Sequence, residues 1–280
     1  MEVWKEKWNY APIFIGEVSA QTKFDFSLPQ IAELYKVSSL VCNNFEKNVI
    51  AKILDISKNI FKINSLKPIK VHKKQIIILD RDVMVDKIVD SNKENGKCSN
   101  GYIYVCRNNN KSVFISDLSH ELAHLHSFYS LGIIEQGESR CIETIRLGYS
   151  LKKSDVNYLY DGLNEAVTDL WSKVILRELF RAYPEILTEN EKKKALKYYA
   201  YPYHVTLLEE IIFNMTRGNV LVWPLFKSYF DGSSCFLDLL EKELLLSLEP
   251  IKKMTNQKES ALKTAEMIGG SSLLQKVVNI

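Results

Sequence analysis

Apolar residues recur at helical spacing along most of this chain and at strand spacing in only a few short runs. Before residue 160 both patterns occur. Ile31, Leu34, Leu40, Phe45, Ile50 and Leu54 predict a helix over 28–62. The runs Gln75 to Leu79 and Tyr102 to Cys106 predict strands, the second closed by the turn Asn108-Asn109-Asn110. Residues 10–18 read as extended, 91–100 as a polar loop, and 143–151 as a strand with Gly148 at a bulge or turn. Beyond residue 160 only helical spacing remains, over 164–182, 188–200, 203–216, 220–230, 234–248 and 257–268. Pro184, Pro202, Pro224 and Pro250 lie at or near the breaks. The pattern predicts an α+β fold, with a small mixed sheet in an N-terminal lobe (1–135) and a mainly helical C-terminal lobe (136–280).

One more helix is expected between these regions, on a stripe of Leu118, Leu122, Leu125 and Tyr129, with Ser116 or Asp117 in its first turn. Away from the stripe it carries the pentad His120-Glu121-Leu122-Ala123-His124. Residues four apart on a helix lie about 40° apart around the axis and roughly 6 Å apart along it. His120 and His124 can therefore chelate one ion, with Glu121 beside the metal as a base for water. His126, about 200° around from His124, cannot share that ion and reads as a supporting or surface residue. A catalytic zinc needs a third ligand and an open position. Glu165, in Asn164-Glu165-Ala166-Val167-Thr168-Asp169, is the best candidate. Asp169 shares its helical face and can accept the free ring N–H of a ligand histidine, while Val167, Leu170 and Val174 would bury against the pentad helix.

His-Glu-x-x-His followed by Asn-Glu-Ala-x-Thr-Asp resembles the gluzincin group of zinc metallopeptidases, the group of thermolysin, over residues 119–169. The resemblance implies a zincin-like N-terminal lobe and an active-site helix. It also implies one Zn2+ held by His120, His124 and Glu165, Glu121 as general base, and Asp169 supporting a histidine. The gap between the motifs is longer than in thermolysin-like enzymes, and no Gly-x-Met-x-Asn segment is present. In the group, a Tyr or His of the C-terminal lobe stabilises the oxyanion; Tyr201 and His204, in Tyr201-Pro202-Tyr203-His204, are the candidates here. An edge strand binds the substrate backbone, a role open to Tyr102–Cys106, which reads equally as a core strand.

Composition adds mainly exclusions. A net charge of +3 spread over interspersed lysines and glutamates gives no case for nucleic acid as partner. No apolar run reaches membrane-spanning length, the N-terminus lacks a signal-like apolar stretch, and five scattered cysteines suit free thiols; a cytoplasmic location is expected. Cys98 and Cys106 could meet across a turn. The expected activity is zinc-dependent hydrolysis of a peptide or protein substrate. The alternative is a non-hydrolytic zinc-binding or regulatory module of the same fold. Oligomeric state is not legible.

Overall fold

Asparagine caps set where two long helices begin. Asn43 accepts the N–H of Glu46 (2.9 Å), and the Glu46 carboxylate accepts the N–H of Asn43 (2.7 Å), so α1 spans Asn44–Ile63. Asn110 accepts the N–H groups of Ser112 (3.1 Å) and Val113 (3.4 Å), which starts the pentad helix α3 (Lys111–His126) at residue 111. Ser116 and Asp117 therefore sit inside α3 and not in its first turn. Ser127 ends the helix, so Tyr129, expected on its apolar stripe, belongs to a strand instead.

The structure, a computed structural model, describes residues 13–15, 41–66, 71, 73–87, 95–99, 102–136, 139–154, 157–215, 221–244 and 248–279. The part of the expected first helix before residue 41 lies outside them. A three-stranded sheet has the order β2 (Ile76–Leu79), β4 (Tyr102–Cys106), β3 (Gly96–Ser99), with β2 parallel and β3 antiparallel to β4. The short helix α2 (Arg81–Lys87) follows β2. A five-stranded sheet has the order β1 (Ile13–Ile15), β5 (Tyr129–Gln136), β6 (Ser139–Leu147), β7 (Ser150–Ser154), β8 (Asn157–Leu159). The rest is helical: α4 (Asp161–Ala182), α5 (Glu189–Lys197), α6 (Pro202–Glu210) with a π-helical turn at Ile211–Met215, α7 (Val222–Asp231), α8 (Cys235–Leu244), α9 (Glu249–Lys252) and α10 (Lys258–Val278).

The fold is mixed α+β and mostly helical. Of the two readings open for Tyr102–Cys106 the structure takes the core strand, and the strand expected at 143–151 is lengthened. Tyr102–Cys106 is the middle strand of its sheet and buried along its whole length, with Ile103 and Val105 in one core and Tyr102, Tyr104 and Cys106 in another. Apolar residues on both faces explain why it reads as a continuous run. The sheet edge that meets α3 is β3, in the segment expected to be loop. The hairpin of β5 and β6 is more extensive than the strand expected at 143–151, while Gly148 does form a turn between β6 and β7, at φ +56°. A side chain there would strike Asn164 and Tyr229.

One hydrophobic cluster runs from Val49 to Val277 and joins residues of both halves of the chain. At its centre α3 packs against α4. Every α3 residue from Phe114 to His126 is buried, so the helix is enclosed on its polar side as well as its leucine side. His126 is among them, edge-on to Phe61 (4.8 Å), which replaces the surface reading. On α4 the contact with α3 runs through the face of Glu165, Thr168 and Asp169. Val167 is buried, whereas Leu170 and Val174 are only half-buried. Cys98 and Cys106 are separate thiols. Among the described residues no helix is long and apolar enough to cross a membrane.

Candidate metal centre

The first turn of α4 is held by the chain around α9. Tyr160 stands before the helix in the left-handed region (φ 59°, ψ 21°) without a side-chain cap. Its N–H donates to the carbonyl of Lys252 (2.8 Å) and the N–H of Gly162 to that of Met254 (2.8 Å). A non-glycine residue there costs roughly 1–2 kcal/mol, and these bonds hold it in place. They start α4 at residue 161, three positions before the expected start, so Glu165 projects from the second turn, opposite the histidines of α3.

Three ligand atoms then converge. Glu165 Oε2 lies 3.2 Å from His120 Nε2 and 3.3 Å from His124 Nε2, and the two Nε2 atoms are 3.2 Å apart. Three such atoms converging on one point repel unless a proton or a metal ion lies among them. Tetrahedral ligands about 2.0–2.1 Å from an ion stand about 3.3 Å from one another, so the triangle has the dimensions of a metal site. The side chains are 8%, 7% and 12% exposed, which leaves little competition from bulk water. This His120–His124–Glu165 group can bind a metal ion. Among the described residues it is the only such group of three or more.

The outer ring nitrogens both have partners that can accept an N–H. His120 Nδ1 donates to Asp169 Oδ1 (2.9 Å), the partner expected from the sequence. His124 Nδ1 meets Thr168 Oγ1 at 3.2 Å. The Thr168 hydroxyl donates to the Asn164 carbonyl (2.7 Å) and lies 2.7 Å from the Tyr229 hydroxyl. With its one proton committed to Asn164, Thr168 accepts from both Tyr229 and His124. In its neutral form an imidazole that donates from Nδ1 to these partners keeps Nε2 free for a metal.

Electrostatics agree with a site built for positive charge. Burial alone would depress the His120 imidazole, but the Asp169, Glu165 and Glu121 carboxylates outweigh it and hold the group well above its ordinary range. Burial would raise the Glu165 carboxyl, and His124 and His120 pull it far below the usual carboxylate range instead. Asp117, one turn before Glu121, is pushed up to about 7 by burial and then by Glu121. Asp161, one turn before Glu165, is pushed up to about 6 by burial and then by Glu165.

Glu121 is buried on α3 next to the triad, under the first residue of β3. A Cβ on Gly96 would lie 2.6 Å from both Cγ and Oε1 of Glu121, so a larger residue there would push the Glu121 side chain from its position. Cys98, two residues along β3, is kept a thiol by burial and by the charges of Glu121 and Glu165. Tyr201 also reaches the centre. Its ring stacks on His120 (5.9 Å, 29°), and its N–H donates to Asp169 Oδ2 (2.8 Å). The Glu165 charge, then burial, keep its phenol well above the usual range, so it stays a neutral donor. His204 stands behind Tyr201, ring centroids 5.8 Å apart, with Nε2 donating to the Thr255 carbonyl (2.8 Å). Burial lowers its pKa, and its Nδ1 has no partner among the described residues. Its single proton is committed to Thr255, so it offers no N–H to the triad.

The five motif residues and Tyr201 are thus brought together, and His204 is set behind them. Thr168, Tyr229 and Gly96 were not assigned from the sequence. Thr168 lies inside the quoted motif, four residues after Asn164, a spacing that could have drawn attention to it. Nothing local marks Tyr229 or Gly96. Comparison of the chain with protein-family models, curated proteins and solved structures finds no match.

Proposed function

We propose that this protein is a zinc-dependent metallopeptidase of gluzincin type. The observation that carries the reading is the convergence of His120 Nε2, His124 Nε2 and Glu165 Oε2 with a carboxylate, Glu121, beside them that is not one of the three ligands. Two imidazoles and one carboxylate suit zinc and leave a tetrahedral position for water. When bound, the ion supplies Lewis acidity that polarises a substrate carbonyl and makes water acidic enough to lose a proton near neutral pH.

The chain's own residues supply the rest. Glu121 takes a proton from the attacking water as the new C–O bond forms, and delivers a proton to the leaving amine as the C–N bond breaks. Asp169 and Thr168 hold the two imidazoles in the Nδ1–H form. Tyr201 donates its phenolic proton toward the oxygen that gains charge, a task that suits a neutral hydroxyl above a carboxylate-rich site. Among the described residues β3 is an edge strand of its sheet and packs against the helix that carries Glu121, a place where an extended peptide backbone can add.

The near-complete burial of the triad favours a second reading, a zinc-binding module without turnover. One experiment separates the two. Purified wild type and Glu121→Gln are loaded with zinc and incubated with an unbiased peptide mixture, and the products are read by mass spectrometry. The proposal expects both proteins to hold zinc and the variant to cut at least about 100-fold more slowly. Equal cutting by both would remove Glu121 from the chemistry, and zinc binding with no cut by either would favour the module.

A further inference from the structure

Lys173 is 3% exposed and has no part in the mechanism above. It lies one turn beyond Asp169, which lies one turn beyond Glu165, so residues 165, 169 and 173 form a ladder along one face of α4. Each rung holds a different part of the centre. Glu165 meets both histidines. Asp169 holds His120 with one oxygen and the Tyr201 N–H with the other. Lys173 Nζ donates to the carbonyls of Ala195 (3.2 Å) and Tyr198, at the C-terminal end of α5. The Tyr199 ring lies 4.8 Å from the ammonium.

Residues 198–201 form the short connector between α5 and α6, and it ends on the ring stacked over His120. Within it, the Tyr198 carbonyl is taken by Lys173 and the Tyr201 N–H by Asp169, while the Tyr201 carbonyl accepts the N–H of Val205 (3.1 Å). The connector is therefore pinned at both ends to the helix that supplies the third ligand. A buried ammonium is a costly way to satisfy helix-end carbonyls, and that of Ala195 already accepts from the Ser116 hydroxyl (3.2 Å), which leaves the Tyr198 carbonyl as the contact particular to Lys173. It does give a directional hold, and its charge sits among Asp117 and Asp169, which it helps to balance.

We infer that Lys173 is a positioning residue that fixes the 198–201 connector against α4 and so sets where the Tyr201 hydroxyl stands over the metal centre. The inference rests on the proposed function for the role of Tyr201, though not for the geometry of the hold. Lys173→Met keeps the length and apolar stem and removes the donor. Its test is backbone hydrogen exchange on zinc-loaded wild type and variant, resolved for 198–201 and, as a reference, for α4, together with zinc content. The variant should exchange about tenfold or more faster at 198–201, the change expected for losing a hydrogen bond from a charged donor, with α4 protection and zinc content retained. On any peptide the wild type cuts, kcat should fall while KM holds.

Unchanged exchange at 198–201 in a folded variant would overturn the inference whatever the activity. Exchange raised equally throughout the chain would mean general loss of stability and would overturn it too. If Lys173→Met proves unfolded, Tyr201→Phe combined with native Lys173 gives the second test: a kcat unchanged from wild type would mean that the hydroxyl has nothing to be positioned for. Wild type that cuts nothing would sink the proposed function and leave the exchange result standing on its own.

Discussion

Thr168 has one proton and three neighbours, and the way it divides them sets the state of a ligand. Its proton goes to the Asn164 carbonyl, so its oxygen is left to accept from Tyr229 and from His124 Nδ1. Thr168→Val keeps the shape and removes the acceptor, leaving a buried imidazole N–H unpaired and its tautomer unspecified. Zinc affinity should fall about 10- to 100-fold in the valine variant and return most of the way in Thr168→Ser, as competition with a fluorescent chelator would reveal. Equal affinity in wild type and Thr168→Val would mean that the hydroxyl does not support His124. Asp169 does the same service for His120, and this half of the support was legible because an acid four residues after Glu165 shares its helical face. The threonine half needed the partner helix in place.

α3 is enclosed on all sides, and that has a cost at Asp117. One of its carboxylate oxygens is buried without a hydrogen-bond partner among the described residues, and its folded pKa of about 7 lies above its ordinary 3.8. A carboxyl raised on folding is favoured when protonated. Its contribution to stability is full below about pH 4 and is lost as the pH climbs toward and through 7. Asp117→Asn removes the charge, so it should gain on wild type by roughly 2–4 kcal/mol between pH 4 and pH 8. Urea unfolding of both metal-free proteins at the two pH values measures this directly. A difference that does not grow with pH would show that the charge is not penalised in the fold. The elements themselves were unevenly legible. Long amphipathic runs marked most of the later helices to within a few residues. β3 was not legible, because Gly96-Lys97-Cys98-Ser99 has little intrinsic strand preference and becomes a strand by pairing with β4. The same fact moved the sheet edge: Tyr102–Cys106 supplied the apolar signal, and its polar neighbour took the position beside Glu121.

At the scale of the whole molecule, the centre lies where the two most deeply buried helices touch, inside a core shared by residues from 49 to 277. His120 and His124 come from α3 and Glu165 from α4, 41 positions beyond His124. The hairpin of β5 and β6 occupies the interval between them. That these three residues come together as a group able to bind a metal ion was legible because one turn of helix fixes the spacing of the two histidines and a motif names Glu165. What places the third ligand was not, since the bonds from Tyr160 and Gly162 to the carbonyls of Lys252 and Met254 join residues about 90 positions apart. Whether these helices together make one three-ligand zinc site is decided by elemental analysis of wild type and Glu165→Ala purified side by side. About one zinc per chain is expected in wild type and much less in the variant. Full zinc in both would remove Glu165 from the site, and no zinc in either would contradict a zinc centre at His120 and His124.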